Sequence, residues 1–261
     1  MAADPVPKRS PWPLVALVAA GGVLVYVVVA VLASIGLPGL NVPFARSNAP
    51  QMHSIDRSAP AGDLQSAELR LSYGATMVTV TSADTGGDLY RAHFEVTDNV
   101  RTTTSLNTSS GVLTINLHTN RWFCFACDQR SSLRLTLSDR LPWKLALTGG
   151  ASSGDLDLRS LKLTGLQVAG GASHVSVQLP APSGEVPIKF EGGATSVELG
   201  APAGTQARIE VGGGASSLHV NGADSSSLGH ELRYQSEGFP AAHDRYIVNA
   251  SGGASSINWS S

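Results

Sequence analysis

Five short constellations have residue types and spacings that could do chemistry. Gly150, Ala151, Ser152, Ser153 and Gly154 spell G-x-S-x-G, the spacing of a nucleophile elbow whose serine attacks a carbonyl. Asp84-Thr85-Gly86 has the Asp-Thr-Gly order in which two carboxylates, one from each of two copies, share a proton. Asp155 and Asp157 lie two apart, which on a strand puts both on one face at about 7 Å, suited to a cation or to paired acid–base work. His174 and His219 fall two and four residues after Ala172 and Ala215 and could project to one side. Cys124 and Cys127, the only cysteines, form a C-x-x-C inside the aromatic stretch RWFCFACDQR.

The elements that must position these groups argue against most of that chemistry. An elbow needs a helix after the serine, but DLDLRSLKL after Gly154 alternates with period two and reads as a strand. Only one Asp-Thr-Gly is present, and Asp-Thr-Gly-Gly between strands reads as a turn. Asp155 and Asp157 read as a solvated outer face, and the histidines as surface residues without clustered ligands. The expectation is a non-enzymatic chain with no catalytic residue, metal ligand or cofactor. For Cys124 and Cys127 no helical pattern follows to lower a thiol pKa, so a local disulfide is the leading expectation outside the cytoplasm. A redox-sensitive switch, half of an intermolecular metal site and free thiols stay open. Trp122, Phe123 and Phe125 beside them suit either an exposed contact patch or packing across an open end of the fold.

The G-x-S-x-G is one copy of a repeat. GGASS at 149–153 recurs as GGASH, GGATS, GGASS and GGASS, with Ala151, Ala172, Ala194, Ala215 and Ala254 spaced 21, 22, 21 and 39 apart, the last close to two periods. Apolar residues stand six and four positions before each alanine (Leu145 and Leu147, Leu166 and Val168, Ile188 and Phe190, Ile209 and Val211, Val248 and Ala250) and three and five after most of them. The run LRLSYGATMVTV fits the same template around Ala75, and TSLNTSSGVLTINL fits loosely around Ser110. Strand, small-residue corner, strand and turn in roughly 21 residues predict an all-β fold, a single-stranded, β-helix-like solenoid whose coils each stack on the last. An antiparallel sandwich is the alternative for such a train of short strands.

The chain has 261 residues, 15% of them charged, with a net charge of −2 and 28 glycines, a turn-rich composition without the basic patch that nucleic acid requires. Between Arg9 and Arg46 no residue is charged, and Leu14–Ile35 is almost wholly apolar. At 1.5 Å per residue that run is about 33 Å long, enough to cross a bilayer, and it exceeds the h-region of a cleavable signal peptide, the competing reading. The expected organisation is a short cytoplasmic tail at 1–13, a transmembrane helix at 14–37, a flexible Pro/Ala/Ser/Gly linker at 38–66 and an extracytoplasmic solenoid at 67–261. Leu14–Ile35 would thus contact the lipid bilayer and make a single-pass cell-membrane protein with its N-terminus in the cytoplasm.

The alternating run ending in YGAT, together with PWKLALTGGASSGDLDLRSLKL, GGASHVSVQLPAPSGEVPIKFEGGATSVEL and SGGASSINW, resembles the bacterial adhesin-like or toastrack domains. It is also similar to the C-terminal domain of membrane proteins that respond to cell-wall-active antibiotics. The resemblance covers roughly 67–261 and is one of repeat pattern. It implies a β-solenoid at the bacterial surface, linked to adhesion or envelope-stress signalling. The single N-terminal span and the RWFCFACDQR insertion depart from the family pattern. Three functions compete: a surface module binding an envelope protein or surface glycan, an enzyme on envelope polysaccharide, which would need acids stacked over adjacent coils, and a redox protein working through Cys124 and Cys127.

Overall fold

The structure, a computed structural model, describes residues 51–98, 100–119, 131–212, 217–225, 232–251 and 254–261. These residues form strands joined by turns: β1 Met52–Pro60, β2 Ala67–Ala83, β3 Asp88–Thr97, β4 Val100–Asn107, β5 Val112–Thr119, β6 Ser132–Ser138, β7 Pro142–Asp157, β8 Lys162–Ala169 and β9 Ala172–Gln178. They continue as β10 Glu185–Glu191, β11 Ala194–Gly200, β12 Gln206–Val211, β13 Ser217–Val220, β14 Ala223–Ser225, β15 Leu232–Gln235, β16 Arg245–Ala250 and β17 Ala254–Ser260. The fold is all-β. Cys124, Cys127, Ala215 and the whole 1–50 segment, with its expected membrane span, lie outside the described residues. Among the described residues no helix is long and apolar enough to cross a membrane.

The periodic apolar residues become rows. Parallel pairing aligns Leu69, Leu145, Leu166, Ile188, Val248 and Ile209 before the corner, and Leu71, Leu147, Val168, Phe190, Ala250 and Val211 beside them. After the corner the aligned rows are Val78, Gly154, Val175, Val197, Ile257, Leu218 and Val80, Leu156, Val177, Leu199, Trp259, Val220. The apolar members of all four rows are buried. Burying each Val, Leu or Ile contributes about 1.5–3 kcal/mol, and a one-residue slip would turn every one of them to solvent, so the pattern specifies the register as well as the core. Ala75, Ala151, Ala172, Ala194 and Ala254 come into register as one rung. This is the stacking that a solenoid requires.

Two features depart from the expected sequential stacking. The coil of β16 and β17 inserts between β10–β11 and β12–β13, so the Ala254 coil sits beside Ala194, with the β13 coil outside it. The 39-residue gap is therefore no doubled period. It carries the chain out through β14 and β15, which pair antiparallel with β13 and β12, and back inward. At the other end β2 lies between β7 and a coil made by β5 and β6. There Leu113 and Ile115 stand beside Leu69 and Leu71, and Leu133 and Leu135 beside Val78 and Val80. Ser110 is thus no corner. It lies in the turn between β4 and β5, where its amide and that of Ser109 donate to Asn107 Oδ1 at 3.2 and 3.0 Å.

The segment read as flexible linker contains β1, which pairs antiparallel with β3 from Met52↔Thr97 to Pro60↔Asp88. Its Ile55 and Ala59 pack against the core, while the rest of the strand is exposed. Pro and Ser content hid a strand whose apolar signal is only two residues, because an edge strand buries one face incompletely.

Three corners depend on the first glycine of a Gly-Gly pair. Gly149, Gly170 and Gly192 have φ of 120°, 132° and 131°, a region that side chains disfavour. A Cβ at these positions would lie 1.9 Å from Tyr73 O, 2.0 Å from Gly149 O and 2.5 Å from Gly170 O. Each glycine therefore lets one coil's backbone rest directly on the next. Gly170→Ala is expected to destabilise the domain by about 3 kcal/mol or more. Gly171→Ala, where a Cβ meets nothing within 4 Å, should stay within about 1 kcal/mol of wild type in chemical denaturation.

Candidate binding surface

Ser152 lies within β7, which runs unbroken from Pro142 to Asp157 with no helix after it. Gly154 occupies a core row where the sister coils carry Val, Ile or Leu, and a Cβ there would meet only Leu156 Cδ1 at 3.8 Å. The apparent elbow is a strand through a corner. Asp84 accepts from the Gly86 amide and from Arg140 Nη2, both at 2.9 Å, and these contacts, the amide foremost, hold its carboxyl below the usual range. Thr85 is buried and donates to Asp88 O. Asp-Thr-Gly is therefore a turn, as expected.

Asp155 and Asp157 both face outward. Asp157 takes two hydrogen bonds from Arg159, 2.8 and 2.6 Å, which lower its pKa. Asp155 is flanked by Thr79 and Ser176, and Asp157 by Thr81 and Gln178, so neither carboxylate has an acidic neighbour in register. His174 and His219 stand on different rows, the first level with Ser196 and the second with Asn258.

What the structure does assemble is a long outer face. Asp56, His93, Arg134, Thr79, Asp155, Ser176, Glu198, Asn258 and His219 follow one another across nine adjacent strands. At about 4.8 Å per strand this polar row is about 38 Å long. Two shallow grooves open on the same face. One, of about 400 Å³, is lined by residues including Asp56, Ser58, Arg91, His93, Arg134 and Thr136. The other, of about 430 Å³, includes Gln178, Glu198, His219 and Asn258. In the first, His93 Nδ1 meets Asp56 Oδ1 at 2.7 Å, and in the adjacent cross-strand pair, outside the groove lining, Ser132 Oγ donates to Glu95 Oε2 at 3.0 Å. His53 and Asp98 add a second imidazole–carboxylate contact linking β1 to the chain just after β3. Sequence reasoning missed this cluster because antiparallel pairing joins residues 37 apart for Asp56–His93, a distance no local repeat encodes.

Residues 47–200 match the family described as the N-terminal domain of toast_rack, DUF2154. The chain belongs to the toast_rack family. Among solved structures, a putative cell adhesion protein from Clostridium sporogenes superimposes with a TM-score of 0.66 at 17% identity, over 80% of this chain and 99% of that one. A putative adhesin from Bacteroides fragilis aligns at 11% identity over 80% and 97% of the two chains, with a TM-score of 0.29. No curated protein matches the sequence. The first superposition shows a shared fold.

In this toast_rack domain, Gly154→Ala is expected to be neutral or to add about 1 kcal/mol, since a buried methyl contributes about 0.8 kcal/mol and glycine is unfavourable in a strand. A true elbow would lose its function on that change. Asp84 and Asp157 have folded pKa values below the unfolded value of about 3.9, so their contribution is present above about pH 4 and is lost as pH falls further. Melting temperature should therefore drop below pH 4, less steeply in Asp84→Asn, and high salt should reduce the difference because both groups are exposed.

Proposed function

We propose that this chain is a membrane-anchored, extracytoplasmic binding module that acts without catalysis in adhesion or cell-envelope stress sensing. The observation that carries the reading is the continuous polar row across nine strands of a stacked β core. Side chains repeating about every 4.8 Å along one outer face suit an extended partner touched at many points, whereas small-molecule sites are concave and mostly apolar. Family membership and the shared fold of a putative cell adhesion protein support it. The partner is an envelope protein or a surface glycan and not a nucleic acid, since arginines such as Arg70, Arg140, Arg159 and Arg245 are held on carboxylates and unavailable to track phosphates as a stripe.

Leu14–Ile35 is the anchor of this reading, with the tail inside and the β domain outside. Cys124 and Cys127 form a disulfide within the insertion between β5 and β6. In-cell crosslinking of the exported domain followed by mass spectrometry should recover one reproducible envelope protein or glycan. Thiol trapping in intact cells should find the cysteine pair oxidised under all envelope stresses. Release of a processed, soluble domain would show that 14–35 is a signal peptide, and recovery of only cytoplasmic partners would overturn the reading.

A further inference from the structure

The geometry points to an oxyanion site in the β1–β3–β6 groove, built around Arg134 and suited to the phosphodiester groups of an envelope polymer. The proposal deepens the binding-module reading and rests on it. Asp56, His93 and Arg134 form one cross-strand row, and Ser58, Arg91 and Thr136 the next. Arg91 and Arg134 thus stand diagonally, about 7–8 Å apart at the backbone, with Ser58 and Thr136 flanking Arg91 in its own row.

The groove holds an uncommitted guanidinium. Arg140, Arg159 and Arg245 each hold a carboxylate, and Arg134, exposed on the outer face, makes no hydrogen bond or ion pair among the described residues. Its cross-strand neighbours explain why: Thr79 on one side carries no charge, and His93 on the other is taken up by Asp56. Arg91 is fixed in place by Asp88 through Nε at 2.9 Å and by Thr85 O through Nη2 at 2.6 Å, which leaves Nη1 uncommitted. The groove of about 400 Å³ therefore presents one whole guanidinium fork, part of a second and the Ser58 hydroxyl around one space, with the Asp56 carboxylate taken up by His93 and the Thr136 hydroxyl by Thr81.

A carboxylate offers its acceptor sites in one plane. A phosphodiester offers acceptors in several directions and can take donors from more than one strand. The groove lies on the open outer face with uncharged Thr79 beside Arg134, so a chain carrying the anion can enter and leave along the surface. That favours a polymer over an isolated ion.

The test is titration of the purified full-length chain with a synthetic glycerol-phosphate oligomer, with polyglutamate and with vesicles containing anionic phospholipid as competing probes. The oligomer should bind saturably, and Arg134→Gln should weaken it about tenfold without lowering the melting temperature. Arg159→Gln, which removes an exposed arginine outside the groove, should change it less than about twofold. Equal affinity for Arg134→Gln and wild type overturns the site. Polyglutamate binding as tightly as the oligomer, or binding to vesicles alone, overturns the assignment to a phosphodiester polymer. A protein partner recovered by crosslinking, with no oligomer binding, would sink this proposal while leaving the binding-module reading standing.

Discussion

The structure depends on one contact, repeated: the α-carbon of a corner glycine seated against the carbonyl oxygen of the coil beside it. Tyr73 O, Gly149 O and Gly170 O receive Gly149, Gly170 and Gly192 in turn. Without a Cβ in the way, the corner backbones stack at the same spacing as the flanking strands. That common spacing lets the apolar rows on both sides of the corner stay in register and close into one core. The outer polar row is the other face of the same strands, so its regularity follows from the same contact.

Equivalent rows create an ambiguity, since any coil could in principle sit on any other. Specific contacts resolve it at the C-terminal end. Arg245 grips Glu185 through Nε and Nη2 at 3.2 and 2.8 Å, and Asp244 accepts from the Gly184 amide at 2.6 Å, so β16 is matched to β10. Buried Tyr246 donates to Pro180 O at 2.8 Å and packs edge-on to Trp259, centroids 6.2 Å apart. Phe239 fills the return path between the guanidinium groups of Arg208 and Arg245, at 5.1 and 4.7 Å. Antiparallel strands at each end then cover the terminal coils, which manages the edges that a stack of parallel strands would leave open.

Much of this was legible in the residues. The period, with Ala75, Ala151, Ala172, Ala194 and Ala254, and the inward pairs flanking them correspond to rungs and buried rows among the described residues, because side chains two apart on a strand must share a face. The G-x-S-x-G was correctly readable as a corner for the same reason. The loose match at Ser110 misled, since alternation on β4 and β5 carries the same period-two signal whether a hairpin or a corner joins the strands. The linker reading failed at β1, whose two inward residues are too few to stand out from a Pro/Ser-rich background.

By itself the sequence determined that the domain is all-β, which residues face the core, and which glycines make the corners, because these are local consequences of period and chirality. The tertiary structure alone decided the order of the coils, with β17 inside β13, and the assembly of Asp56, His93 and Arg134 on one outer row. Both depend on contacts between residues tens of positions apart, whose partners are chosen by shape, charge and hydrogen bonding after the strands have formed. No repeat length encodes that choice.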